Sequence, residues 1–138
     1  MTDYADWTKN MMADIRANGR PTSGFFEGRP VMILTTTGAK SGKPREAILS
    51  FSRDGDAYVV VGSKSGEPKD PAWFGNLVAN PVVTVEADGK KFQATATVAE
   101  GADRDALWDR HVAEHPQFAE YPSKTDRVIP IARLTPLA

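Results

Sequence analysis

The chain contains no cysteine, which excludes a disulfide framework, a thiolate zinc site, an iron–sulfur cluster and a cysteine nucleophile together. It also lacks an excess of either charge. Its 17 Lys and Arg stand against 18 Asp and Glu, so bulk electrostatics does not direct it to nucleic acid or to an acidic membrane. Apolar runs such as Val59–Val61 fall far below the ~20 residues that a bilayer-spanning helix needs. The first residues, MTDYADWTKNMMADIR, carry acids where a secretion signal has bases. With only two histidines and no G-x-S-x-G elbow, a Ser-His-Asp hydrolase is poorly supported. These absences predict a cytoplasmic address, no stable membrane insertion and no nucleic-acid partner. Charge-driven recognition is confined to one locality.

What is present reads as one domain over residues 1–138, with a core-forming hydrophobic fraction of 41%. Tyr4, Trp7, Met11 and Ile15 recur at helical spacing and predict an amphipathic helix over 3–17, stopped by Gly19 and Pro21. Strands are expected at Val31–Thr37, Arg45–Arg53, Ala57–Gly62, Val82–Ala87, Lys90–Val98 and Val128–Leu134. Asp54-Gly55 and Asp88-Gly89 read as type I′ hairpin turns. Asp70-Pro71 reads as the start of a helix that runs to about Ala79, and residues 102–114 as a later helix. Six strands joined mostly by tight turns favour an α+β fold: a small, mostly antiparallel barrel decorated by helices. Parallel pairing would need long crossovers that the chain lacks.

Two polar loops stand out. Thr35-Thr36-Thr37-Gly38-Ala39-Lys40-Ser41-Gly42-Lys43-Pro44-Arg45 sets three cations at the junction of two strands. Lys40, Lys43 and Arg45 can give charge-assisted hydrogen bonds to phosphate or carboxylate, and the glycines allow close backbone approach. The spacing is not that of a P-loop, and a solvated basic turn carries the same residues. The second loop, Gly62 to Pro71, leaves a strand and enters a helix N-terminus, a geometry that favours anions. Trp73 in the first turn of that helix can cover a planar ring or fill the barrel end. Asn76, on the same helix face, can meet a ligand or the backbone.

His111-Val112-Ala113-Glu114-His115 spells an inverted zinc-peptidase pattern. Pro116 follows at once, and no third ligand is placed, so the expectation is no metal and a solvated helix end. With no credible nucleophile among its own side chains, the chain is expected to borrow reactivity from a cofactor.

Four stretches, LTTTGAKSGKPR (Leu34–Arg45), RDGDAYVVVGSKSG (Arg53–Gly66), PAWFGNLVANP (Pro71–Pro81) and TDRVIPI (Thr125–Ile131), occur in an order and spacing that resembles the deazaflavin-dependent nitroreductase family of actinobacterial split-barrel proteins. The resemblance implies a split β-barrel that binds coenzyme F420 and, with the reduced form F420H2, passes a hydride to an electrophilic small molecule: a quinone, an activated alkene such as an unsaturated lactone, or a nitro compound. It implies a phosphate clamp of Ala39, Lys40, Ser41 and Arg45. One groove wall would run through Glu46, Ala47, Ile48, Leu49 and Ser50. Val61, Gly62, Ser63 and Lys64 would line the ring, with Ala72, Trp73, Phe74, Gly75 and Asn76 opposite.

Ser63 and Tyr121 are the candidate catalytic donors to the acceptor, and His115, Phe118 and Tyr121 would form the substrate pocket. The family's nitroreductase resembles this last segment with tyrosines where His115 and Phe118 stand, so nitroimidazole reduction does not follow from the resemblance. An FMN- or FAD-using split-barrel oxidoreductase and a non-catalytic F420 carrier remain the alternatives. The expected state is a monomer or weak homodimer. Arg16 and Arg20 fall between contact with the cofactor's acidic tail and plain exposure at a helix end.

Overall fold

The structure, a computed structural model, describes residues 4–20, 22, 31–62, 72–116 and 129–137, with side chains in the first helix described from Lys9 onward. Helix α1 spans Tyr4–Asn18; strands β1, β2, β3 and β4 span Val31–Thr37, Pro44–Ser50, Ser52–Asp54 and Ala57–Val61. Helix α2 (Ala72–Ala79), β5 (Val82–Ala87), β6 (Lys90–Val98), α3 (Gly101–Glu114) and β7 (Ile131–Pro136) complete it. Among the described residues the strands form one seven-stranded sheet of order β2-β1-β5-β6-β7-β4-β3, and every pairing is antiparallel.

The count of seven rather than six comes from one residue. The run expected as a single strand over Arg45–Arg53 breaks at Phe51. Before it, Ser50 pairs with Val31 of β1; after it, Ser52 pairs with Val59 of β4. The two outermost strands of the sheet are therefore consecutive in sequence. Since neighbouring Cα atoms lie only ~3.8 Å apart, the sheet must curl until its edges meet at Phe51. This is the split-barrel closure, and Phe51 points inward to stack edge-on against Tyr58 at 5.3 Å between ring centroids.

Burial follows from which faces the helices cover. Successive strand residues point to opposite faces. Met32 and Leu34 of β1 and Tyr58 and Val60 of β4 face the barrel interior, with Trp73, Phe74 and Leu77 of α2 filling it. On the outside, Val31 and Ile33 lie under Met11, Met12 and Ile15 of α1, and Val59 and Val61 lie under Leu107 of α3. Strands covered on both faces need apolar residues at every position, which is why the first four residues of β1 and all of β4 read as continuous hydrophobic runs.

Two hairpin turns differ from one another. Asp88 and Gly89 both have positive φ, 51° and 79°, as a type I′ turn requires. The earlier turn is displaced by one residue from expectation. Asp54 already pairs with Ala57, so the loop is Gly55-Asp56, and positive φ occurs at Gly55 alone, the type II′ pattern. The last strand begins at Ile131, later than expected, and runs to Pro136. No helix among the described residues is long and apolar enough to cross a membrane.

Candidate functional site

The basic loop between β1 and β2 is shaped by its own backbone. The Gly38 N–H donates to the Lys43 carbonyl at 2.8 Å and the Gly42 N–H to the Gly38 carbonyl at 2.9 Å. Gly42 holds φ at +70°, a conformation that favours glycine, while a Cβ on Gly38 would meet the Ser41 hydroxyl at 2.5 Å and make that side chain turn away. The Ser41 hydroxyl in turn accepts from the Lys43 N–H at 3.2 Å.

Helix α2 braces this loop from the side. The Ala39 N–H donates to Asn76 Oδ1 at 3.0 Å, and Asn76 Nδ2 donates to the buried Thr36 hydroxyl at 3.2 Å. One turn on, Asn80 Nδ2 donates to the Thr37 carbonyl at 3.3 Å. Between loop and helix lies a cleft of about 550 Å³. Gly38, Ala39, Lys40, Ser41, Arg45, Glu46 and Ala47 line one side; Ala72, Trp73, Gly75 and Asn76 line the other.

The cleft thus gathers ten residues of the expected cofactor set and adds Gly38. Its floor is Trp73, buried to 9% exposure, which also belongs to the barrel core and meets Phe74 edge-on at 6.0 Å. Lys40, Lys43 and Arg45 are exposed, and no carboxylate among the described residues pairs with them. Elsewhere, arginines are engaged: Arg133 bridges Asp54 and Asp103, Arg110 meets Asp54, and Arg16 and Arg20 meet acids of the sheet. The uncompensated positive charge over this cleft is the property a polyanionic ligand needs.

Other expected residues lie apart from it. Ile48 packs outward under α1, Leu49 inward against the core, and Ser50 leads into the Phe51 break. Phe74 is core, and Val61 is buried beneath α3. Gly62 is buried, its N–H donating to the Pro130 carbonyl at 2.8 Å. Ser63, Lys64, Phe118 and Tyr121 lie outside the described residues.

The two histidines at the end of α3 are not solvated, although Ala113 and Glu114 between them are exposed. His111 and His115 are 0% and 2% exposed, with ring centroids 4.7 Å apart. His115 Nε2 donates to the Phe51 carbonyl at 2.9 Å, and His111 Nδ1 lies 3.0 Å from the Ser52 hydroxyl. The pair therefore supplies hydrogen bonds at the point where the chain leaves one sheet edge for the other. Burial, with the neighbouring His115 ring adding to it, pushes the His111 pKa down to about 3.

Sequence reasoning omitted Thr36 and Asn80. For the first, the middle of three threonines that end β1, the available signal was alternation: Thr36 continues the inward face of Met32 and Leu34. For Asn80, placed before Pro81, the signal was a helix end, and its contact with β1 is a tertiary one.

Residues that fit a flat, anionic molecule are therefore present together: cations on a glycine-shaped loop with no carboxylate partner among the described residues, the Trp73 indole, and a helix side left bare at Gly75, whose missing Cβ would touch nothing within 4 Å. The scaffold that carries them is a split barrel. The chain belongs to the F420H(2)-dependent quinone reductase family, whose profile matches residues 7–136. It is an F420H2-dependent reductase, and its cofactor is reduced coenzyme F420.

It is 41% identical over 122 residues to an F420H(2)-dependent quinone reductase of Mycobacterium tuberculosis, covering 86% of this chain and 81% of that one. A solved F420-H2 dependent reductase, FDR-A, matches with a TM-score of 0.71 at 43% identity, covering 77% of this chain and 94% of that one. A structure described as a domain-swapped dimer matches with a TM-score of 0.73 at 38% identity, covering 96% and 99%.

Proposed function

We propose that the cleft between the basic loop and α2 is where F420 sits, and that the acceptor is a quinone. The observation that carries this is the set Lys40, Lys43 and Arg45, exposed and without a carboxylate partner among the described residues, beside a cleft lined by Trp73. Bound there, reduced F420 supplies a hydride from its deazaflavin ring to an electrophilic acceptor.

Lys40 and Arg45 neutralise the phosphate and acidic tail, and the Ser41 hydroxyl orients the phosphate. Trp73 and the bare side of α2 at Gly75 set the depth of the ring by contact. Asn76 keeps the loop at the right distance by gripping the Ala39 amide. Such positioning matters because the reacting carbons must approach to ~3–3.5 Å. Gly62, Ser63 and Lys64 are proposed for the remaining ring edge; Val61, whose side chain is buried beneath α3, is not among them. Ser63 or Tyr121 is proposed as the donor to the acceptor oxygen as it gains charge, and Phe118 as part of the acceptor pocket. His115, buried and bonded to the Phe51 carbonyl, holds the strand break instead. The protein is proposed to act in the cytoplasm as a monomer or weak homodimer.

Titration of the full chain with F420 tests the site. Binding should saturate and weaken as salt rises, because exposed ionic contacts are screened. Anaerobic mixing with F420H2 and menadione should give rapid oxidation. Activated lactones and nitro compounds tested alongside define the breadth of the pocket. Binding without oxidation of F420H2 by any acceptor would overturn the quinone reductase reading in favour of a carrier.

A further inference from the structure

Among the described residues that line the cleft, Glu46 is the acid. A carboxylate at the lip of a site for a polyanion is unfavourable unless its charge is offset or turned away. The structure does both through a single side chain on a distant element. Arg16 of α1 reaches over the outer face of the sheet, where its Nη2 donates to Glu46 Oε2. The same guanidinium binds Glu86 of β5 through Nε at 2.9 Å and Nη2 at 3.0 Å.

The register explains the reach. Arg45 and Glu46 are adjacent on β2 and so face opposite sides of the sheet. Arg45 stands opposite Thr36, and Glu46 opposite Thr35. The Glu46 side also carries Ile48, which packs with Ile15 and Ile33 beneath α1. Arg16, next to Ile15, is thereby carried to the place where Glu46 emerges. Both side chains of the pair are only partly covered, at 43% and 42% exposure, so the pair itself adds little stability. Its consequence lies in where the negative charge rests.

We infer that Arg16 is a positioning residue for cofactor binding: it holds the Glu46 carboxylate on the outer face and offsets its charge, so that the neighbouring Arg45 presents its own charge to the anionic part of F420. This rests on the cleft being the F420 site. Arg16 is not itself a ligand of the cofactor, since its guanidinium is already shared between two carboxylates. Without it, Glu46 turns freely at the cleft lip, and the trio of Arg16, Glu46 and Glu86 gains a negative charge.

The test is a double-mutant cycle read by F420 fluorescence titration on the full chain, with thermal melts of each variant. Arg16→Gln should weaken F420 binding about 3- to 10-fold at low salt, the size expected of one partly screened charge at this range. Adding Glu46→Gln to it should restore most of that loss. The gain from Glu46→Gln should be larger in the Arg16→Gln background than in the parent.

Arg16→Lys, which keeps the charge, should bind close to the parent. Equal effects of Glu46→Gln in both backgrounds would overturn the inference. So would an Arg16→Gln loss that Glu46→Gln leaves unrepaired, because that is the pattern of simple undocking of α1. Arg45→Ala, measured alongside, separates the two levels. If it weakens binding while Arg16→Gln does not, only the positioning role fails. If Arg45→Ala and salt both leave affinity unchanged, the site reading fails and takes this inference with it.

Discussion

Asn76 Oδ1 accepts the Ala39 amide hydrogen at 3.0 Å, so helix and loop, 37 residues apart in sequence, behave as one wall of the cleft. The same side chain reaches Thr36 through Nδ2, which makes it a two-sided brace between α2, the loop and β1. Asn76→Ala removes both bonds and should lower stability by about 1 kcal/mol. Asn76→Asp keeps the acceptor for Ala39 but loses the donor and adds a negative charge to the cleft. It should melt nearer the parent than Asn76→Ala yet bind F420 more weakly than Asn76→Ala does. Melting curves and titrations of the two variants compare these directly.

Arg45 lines the cleft, and no carboxylate among the described residues pairs with it. Arg45→Ala should cost about 1.5–3 kcal/mol of F420 affinity, roughly tenfold to a hundredfold, if its charge-assisted bonds form. The salt dependence of binding should become shallower at the same time, and unchanged affinity would remove Arg45 from the clamp.

Gly75 sits inside α2 with ordinary backbone angles and empty space where a Cβ would go. Glycine within a helix costs about 0.5–1 kcal/mol relative to alanine. Gly75→Ala should therefore raise the melting temperature while weakening F420 binding, because the added methyl group enters the cleft. A stabilised variant with parental affinity would show that the cofactor does not approach α2 here.

His111 is neutral in the folded protein down to about pH 3, whereas in the unfolded chain it takes up a proton near its ordinary pKa of 6.5. Its contribution is fully present above pH 6.5 and is lost as pH falls towards 3, with a slope of up to about 1.4 kcal/mol per pH unit. The acids with lowered pKa values, Glu86 and Asp103 beside their arginines and Asp14 bonded to Thr22, act at lower pH than this. Urea denaturation between pH 7 and 5 isolates the histidine, and His111→Gln should flatten the profile in that window.

Much of the fold was legible because its signals are local. The bounds of β1, β5 and β6 fall where β-branched runs and turn residues put them, and the Asp88-Gly89 turn has the expected geometry. The break at Phe51 was not legible. A strand that changes partners keeps its alternation on both sides of the kink, and only the distant positions of β1 and β4 decide where it divides. The burial of His111 and His115 was hidden for a related reason: their partners, Ser52 and Phe51, are supplied by that kink. The two walls of the cleft each carried a signature, glycine with cations and an aromatic helix start. Their apposition, and the reach of Arg16 to a glutamate thirty residues away, belong to the tertiary structure.

Strand β7 has a position in the sheet unlike its position in the chain. It lies between β6 and β4, joining the ribbon β2-β1-β5-β6 to the ribbon β4-β3, yet it follows all the other strands in sequence. A nascent chain emerging from the ribosome therefore holds two open ribbons, linked covalently through Phe51 but with a vacant slot between them. Residues 131–136 are the keystone, and the barrel cannot lock before they arrive.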